Sequence, residues 1–426
     1  MRIATLALAA TLTLGSTPAA AQPARPVAPP ATSAPALTLD RALALAEQAD
    51  PALRDKLAQR DAAEGAATEA SALLAANPQL NLDATRRRMP MDGGDRREWS
   101  AGLSQTFEVA GQRGHRREAS SLALQAVQLE IDDLRRRQRA EVGQRFYKVL
   151  SLQQRLALET QAARLFDDTA RAIEQRRVAG EDTRLDANVA AVEAERARNQ
   201  VARVEDALIQ ARSELAQPLQ LPPRELPQVA GELAPTPVAY DEAALLERLR
   251  QSPRLQALAA RATSAQARLA LARAGRYPDV TVGLSTGREG SVDARERLTT
   301  LSVSVPLPLF QHNAAAIGAA SSESAQARLA HETAERDLPA QVHAQWARLE
   351  NLRQRIERLR HAMLPALQAN EALSQKSLRA GQIGLLDLIV TRRQSLDAQR
   401  DLVEAELDYQ TTRLALEADA GWIDRP

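Results

Sequence analysis

The sequence predicts a mainly α-helical protein with a small β part, in which long antiparallel coiled-coil helices accompany two β-hairpins. Three observations predict this fold class. One segment of the chain recurs about 200 residues later, an interval much too long for a solenoid repeat. Long alanine-rich stretches keep a helical spacing of apolar residues. Four short segments instead alternate apolar and polar residues, which is typical of β-strands.

The repeat is clearest around two glycines. The segment 177–187 contains Gly180 and Asp186, and the segment 378–388 contains Gly381 and Asp387 at the same spacing. The two matching segments indicate that the chain consists of two duplicated halves.

Residues 1–21 have the features of a secretory signal peptide: a basic residue, a short apolar stretch and small residues before the expected cleavage site. The remaining predicted parts are a Pro-rich flexible arm at 22–38, a first structural repeat at 39–217, a Pro-rich linker at 218–238, a second structural repeat at 239–422 and a tail at 423–426. The chain has no cysteine, which excludes disulfides and a lipidated amino-terminal cysteine. No later segment has the roughly 18 uncharged apolar residues of a membrane helix.

The first two helices are predicted from capping residues and prolines. Asp40 is the predicted N-cap of a short helix that ends before Pro51. The following helix is predicted to continue to about Ala76, because Pro78 disfavours helical backbone just before it.

The remaining helices are predicted from the spacing of their apolar residues. A helical pattern over about 113–177 predicts a helix roughly 100 Å long. The other predicted helices lie from after Gly180 to about 217, and at about 240–251, 254–275, 313–379 and 384–420. The short turns at Gly180 and Gly381 make the helices that they join run antiparallel.

The strands are predicted at about 79–107 and 279–307, as one hairpin in each half. Each hairpin flanks a charged loop, at 89–98 and at 288–297. One face of the strands carries apolar residues that are predicted to contact lipid: Leu80, Leu82, Trp99, Leu103, Val280, Val282, Leu284, Leu301, Val303 and Val305. The opposite face carries Ser, Thr and Gly.

Four strands of this kind cannot close a barrel alone, and an open sheet edge is not tolerated in lipid. Three chains would supply about twelve strands, a number that leaves a lumen. The strands are therefore predicted to contribute to a transmembrane β-barrel shared between chains. The alternative is a four-stranded sheet packed on helices in a soluble domain.

These features together resemble the TolC-type outer-membrane efflux channels, over about residues 38–422. The resemblance rests on the two halves, the two hairpins and the paired turns at Gly180 and Gly381. It implies a homotrimer that acts as a passive conduit, with a barrel in the outer-membrane lipid and a long trimeric α-barrel across the periplasm. It also implies a periplasmic adaptor protein docked at the Gly180 and Gly381 turns, and an inner-membrane pump of the resistance-nodulation-division type.

The segment 104–117, Ser-Gln-Thr-Phe-Glu-Val-Ala-Gly-Gln-Arg-Gly-His-Arg-Arg, resembles the heavy-metal, CzcC-like branch of that family. In that branch the strand ends in Phe-Glu before a Gly-Gly-Lys-Arg-like turn, from which Ala110 and Gln112 differ. The resemblance implies export of heavy-metal cations. A multidrug or type I secretion channel of the same architecture is the alternative. A periplasmic coiled-coil adaptor or scaffold is the alternative of another class, although an adaptor needs no strand hairpins.

The resemblance further implies an acidic ring that narrows the periplasmic entrance, at the position of Asp387. The second acidic position of the family is Val390 here. A carboxylate in the first turn of a helix also stabilises the helix dipole, so a structural role of Asp387 stays open. Asp186 is the weaker candidate for this gate, because Thr183 and Asp186 have the spacing of a capping box.

Neither an enzyme nor a metal or cofactor site is predicted. The histidines lack the spacing of metal ligands: His343 and His361 share a helix face but would lie about 27 Å apart. The sequence has no HExxH motif, phosphate-binding loop or nucleophile–base arrangement. The balance of 55 basic and 54 acidic residues creates no overall field for nucleic acid.

Overall fold

The computed structural model describes residues 36–88, 95–222, 226–291 and 294–422. The predicted signal peptide, most of the predicted arm and the predicted tail lie outside these residues. Within them, the predicted helices and both predicted hairpins are present.

The first half begins with α1 (Leu39–Ala49) and α2 (Pro51–Ser71), and it continues after the first hairpin with α3 (Gln112–Val178) and α4 (Arg184–Ala216). The prediction that Asp40 is the first N-cap was wrong. Thr38 caps α1 instead, accepting a hydrogen bond from the amide of Arg41, and Asp40 lies in the first turn.

The predicted end of α2 at Ala76 was also wrong, since the helix ends at Ser71. The hydroxyl of Thr68 donates to the carbonyl of Glu64, and that of Ser71 donates to the carbonyl of Thr68. The helix stops where Ala72, its C-cap, adopts a non-helical backbone with a ψ angle of 145°. This end lies well before Pro78, the residue from which it was predicted.

The second half contains α5 (Glu242–Arg250), α6 (Pro253–Ala274), α7 (Ala314–Arg358), α8 (Leu364–Arg379) and α9 (Leu385–Ala420). The predicted continuous helix at 313–379 is interrupted by a π-helical turn, Leu359–Met363. Pro365 lacks an amide hydrogen, and its ring would clash with the carbonyl four residues earlier, which explains the wider turn directly before it. Among the described helices, none has an 18-residue stretch apolar enough to cross a membrane.

The sheet consists of β1 (Gln79–Arg88), β2 (Asp95–Phe107), β3 (Val280–Ser291) and β4 (Ala294–Ser304). Its order is β1-β2-β3-β4, and all neighbouring strands are antiparallel. The central β2–β3 pair joins the two halves of the chain, and β1 and β4 are the edges. The strands extend into both predicted charged loops: 95–98 belong to β2, 288–291 to β3 and 294–297 to β4.

Two apolar cores lie among the helices, one for each half. The core of the first half includes Phe146 and Leu215, and that of the second half includes Leu338 and Leu416. A third cluster joins α3 and α4 to α9 through Phe166.

Part of the predicted linker is packed against the helices. Val229 is buried, pairs with Leu37 in a parallel bridge, and exchanges hydrogen bonds with the side chain of Gln153. The side chain of Gln410 donates to the carbonyl of Leu233. These bonds tie the connection between the halves to α3 and α9.

Candidate functional site: the two faces of the sheet and the helix turns

One face of the sheet carries a row of leucines that crosses all four strands. Leu80 pairs with Leu103, Leu103 with Leu284, and Leu284 with Leu301. Each of these side chains is more than half exposed. Contiguous exposed apolar surface of this kind marks a protein or membrane contact.

Nine of the ten residues predicted to face lipid lie on this apolar face, because alternate residues of a strand share a face and the registers are continuous, and the tenth, Val305, directly follows β4. Eight of the ten are exposed, while Val280 and Val282 are half-buried. The apolar face is thus present, with its more covered end where β3 begins.

The opposite face is lined by small polar residues, and its glycines have little space. A Cβ atom at Gly102 would lie 2.7 Å from the Cβ of Ser285, and one at Gly283 would lie 2.6 Å from the hydroxyl of Ser302. Directly opposed Cβ atoms normally lie about 4.5–5.5 Å apart. The crowding indicates that the sheet curves with its polar face on the concave side.

The described charged side chains of the strands differ in sign between the two faces. Among the described side chains of the strands, those on the apolar face are all basic: Arg86, Arg97, Arg288, Arg295 and Arg297. Those on the polar face are Asp83, Glu98, Glu289 and Glu296, with Arg87 as the only described basic residue. Arg87 lies 3.5 Å from the buried carboxylate of Glu98.

The predicted turns at Gly180 and Gly381 have the same backbone structure. Their φ angles are 84° and 69°, in the left-handed region that favours glycine. The amide of Gly180 donates to the carbonyl of Arg177, and that of Gly381 donates to the carbonyl of Leu378. In each turn the next amide donates five residues back, which completes a Schellman motif.

Asp186 and Asp387 each cap the helix in which they lie. Asp186 accepts a hydrogen bond from the hydroxyl of Thr183, whose oxygen accepts from the amide of Asp186. Asp387 accepts from the amide of Gly384 at 3.1 Å. Asp387 is exposed and Asp186 half-buried, so the cap leaves Asp387 open to solvent.

Each turn also exposes a leucine directly before its aspartate. Leu185 is 70% exposed and Leu386 is 55% exposed. A Cβ atom built at Gly180 or Gly381 would meet nothing within 4 Å, so the space outside both turns is open. The two turns therefore present equivalent, partly apolar surfaces.

The ion pairs that join α9 to the first half were not predicted from the sequence. Arg400 donates from Nε and from a terminal nitrogen to the two carboxylate oxygens of Glu159, at 2.7 and 2.6 Å. Glu159 is 1% exposed, and its hydrogen bonds with Arg400 raise the pKa of that guanidinium. Arg393 pairs with buried Glu193 in the same manner.

The turn after β2, which carries the resemblance to the heavy-metal branch, connects the two halves. Buried Gln112 accepts a hydrogen bond from the amide of Ala110 and donates to the carboxylate of Asp279, at 3.1 Å. Glu108 forms an ion pair with Arg116. Gln112, a departure from the expected turn sequence, therefore has a structural role here.

The histidines do not form a metal centre within the described residues, where no group of three potential ligands comes together. His343 contacts Glu242 at 2.5 Å, and His331 lies 3.6 Å from Glu335.

Comparison with known proteins agrees with this architecture. The family model described as outer membrane efflux protein matches residues 42–219 and 245–421, one match in each half. The cobalt-zinc-cadmium resistance protein CzcC of Cupriavidus metallidurans is 26% identical over 386 residues, which cover 90% of this chain and 88% of CzcC.

Two solved structures show the same fold. A membrane protein from Pseudomonas aeruginosa matches with a TM-score of 0.77 and 21% identity, over 90% of this chain and 92% of that one. The Campylobacter jejuni CmeC outer membrane channel also matches with a TM-score of 0.77, at 12% identity, over 90% of this chain and 85% of CmeC. This chain belongs to the outer membrane efflux protein family and is an outer-membrane channel protein whose helical part lies in the periplasm.

Proposed function

We propose that three copies of this chain form the passive outer-membrane conduit of a tripartite efflux system that exports heavy-metal cations. An inner-membrane pump of the resistance-nodulation-division type supplies the energy, and the channel itself has no catalytic role. In this proposal residues 1–21 direct export of the chain.

The observation that carries the proposal is the four-stranded sheet with two unpaired edges. Its convex face is apolar and its concave face small and polar, as expected of a barrel wall between lipid and water. Because unpaired edges are costly in lipid, β4 of one chain needs β1 of a neighbour. Three chains would close a barrel of about twelve strands.

The helix turns are the proposed contacts with the periplasmic adaptor. Both turns combine a left-handed glycine, open space around it and an exposed leucine. Equivalent surfaces at Gly180 and Gly381 let an adaptor bind both halves of the chain in the same way.

Two observations support cations as the exported substrate. The relative CzcC is named for cobalt, zinc and cadmium resistance, and the alignment covers most of both chains. The described charges on the concave face of the sheet are mainly acidic, and acidic rings favour cations in pores.

A tolerance panel on a deletion strain tests the substrate. We expect greater sensitivity to some of zinc, cobalt, cadmium, nickel, copper and silver, restored by the gene on a plasmid, because the cations lose their exit. Lipophilic dyes and detergents are the control compounds, to which sensitivity should be unchanged. Sensitivity to the dyes and detergents alone would reject the metal assignment and favour a multidrug channel.

We further propose that Asp387 narrows the periplasmic entrance. Asp387→Asn keeps a side-chain oxygen for the cap but removes the charge, so cations are held less strongly at the entrance. We expect higher single-channel conductance in planar bilayers and weaker block by divalent cations.

The matched control for this prediction is Asp186→Asn, since Asp186 has the same capping role at the other turn. Its conductance should stay close to that of the wild type. Equal conductance of wild type and Asp387→Asn would contradict the gate.

A further inference from the structure

Five arginines whose side chains the structure describes form a band on the apolar face, near the hairpin ends of the strands. We define the arginine band as Arg86, Arg97, Arg288, Arg295 and Arg297, all of which are exposed. The described side chains on this face of the strands include no acidic residue. Among the acidic side chains that the structure describes on the strands, those nearest the band, such as Glu98, lie on the other face.

The pairing of the strands places like charges directly opposite one another. Arg86 pairs with Arg97, and Arg288 pairs with Arg297. Like charges at directly opposed positions destabilise a sheet. Arg288 and Arg297 form no ion pair with any residue that the structure describes, so no described carboxylate offsets the repulsion between these two.

The depth of the arginine band matches that of lipid headgroups. Trp99, on the apolar face, lies in the same cross-strand row as Arg288 and Arg297. Tryptophan is enriched where the apolar core of a membrane meets water. Arg288 follows Leu284 of the leucine row by about 13 Å along the strand.

The location of the protein in the outer membrane determines which leaflet the arginine band contacts. The helices leave the sheet at the ends opposite the hairpin turns, and the helical part is periplasmic. The hairpin ends, with the arginine band, therefore lie at the outer leaflet.

We propose that the arginine band binds the phosphate groups of anionic lipids in the outer leaflet. A guanidinium group matches a phosphate in charge and geometry, with two parallel hydrogen bonds. Bound phosphates would neutralise the repulsion between the opposed arginines. They would also hold the barrel at a fixed depth in the membrane. The inference rests on the outer-membrane location and not on the exported substrate.

The test uses the full chain in nanodiscs and fluorescently labelled lipopolysaccharide as the probe. Arg288→Gln combined with Arg297→Gln should weaken binding about tenfold or more, because each basic residue near an anionic surface adds substantially to the attraction. Dephosphorylated lipopolysaccharide should bind the wild type at least as weakly as the intact lipid binds the double variant, which keeps the other three arginines of the band. Added salt should weaken the wild-type interaction with the phosphorylated lipid more than that of the Gln double variant, and it should leave binding of the dephosphorylated lipid unchanged.

Two further variants keep the result interpretable. Arg87→Gln removes an exposed arginine from the polar face at the same end of the sheet, and its binding should match that of the wild type. Arg288→Lys with Arg297→Lys keeps both charges but loses the paired hydrogen bonds, so its affinity should lie between those of the wild type and the Gln double variant.

Three results would overturn the proposal. They are equal affinity for the phosphorylated and dephosphorylated lipid, unchanged binding by the Gln double variant, and displacement of the lipid by inorganic phosphate at the lipid's own concentration. None of these readouts involves metal tolerance. The lipid-binding proposal and the metal-export proposal can therefore be rejected independently of each other.

Discussion

Leu301→Arg should prevent the protein from accumulating in the outer membrane. Leu301 lies in the leucine row and is 69% exposed on the apolar face. An arginine on the lipid face near the midplane of a β-barrel costs about 2–4 kcal/mol, and the proposed trimer would carry three. The measurement is the amount of protein in purified outer membranes, compared with the wild type at equal expression.

Leu298→Arg is the matched control for this variant. It lies on the same strand, is 41% exposed, and belongs to the polar face, in the row of Ser100 and Gly287. Charged residues facing a lumen are tolerated, so this variant should reach the outer membrane. If both variants accumulate equally, the apolar face does not contact lipid, and a soluble sheet would fit better.

Glu159→Ala should cause a large loss of stability in the helical part. The substitution removes the two carboxylate oxygens of Glu159 that accept from Arg400, and it leaves a half-buried guanidinium whose remaining partner among the described residues is Asp397. Removing one member of a buried ion pair typically costs about 3–5 kcal/mol, and the remaining contact with Asp397 places the expected loss near 3 kcal/mol. Thermal or urea unfolding of the purified protein, followed by helical circular dichroism, measures it.

The control is Glu174→Ala on the same helix, α3. Glu174 also accepts two hydrogen bonds from one arginine, Arg177, but it is exposed. Surface pairs contribute little, so unfolding should not change measurably. Replacing Glu159 and Arg400 together by apolar residues of similar size should recover much of the stability. A loss equal in the Glu159 and Glu174 variants would show that burial is not the cause.

The helices and hairpins were predictable because their information is local. The alternation from Leu80 to Ala84 and the glycines at 180 and 381 are sufficient for strands and turns. The duplicated halves repeat these local patterns, which made the fold class predictable, and the structure and the family match confirm it. The N-cap of α1 was less predictable, because Thr38 and Asp40 are both residue types that suit this position. Only the extended backbone of Thr38 identifies it as the cap.

The pairing between distant segments was not predictable from the sequence alone. Arg400 has many acidic residues within reach of its helix, and only the packing of α9 against α3 selects Glu159. The β2–β3 register could not be predicted for the same reason, because it depends on where the two halves of the chain meet. The opposed arginines became visible only with the registers inside the two hairpins, which pair Arg86 with Arg97 and Arg288 with Arg297.

The unpaired edges of the sheet have a genetic consequence. A chain whose β1 or β4 edge cannot pair would still present its other edge to normal neighbours. It would enter mixed assemblies and leave them with a gap that lipid does not tolerate. In the proposed trimer, edge mutations should therefore behave as dominant alleles, whereas mutations that only unfold a single chain should be recessive.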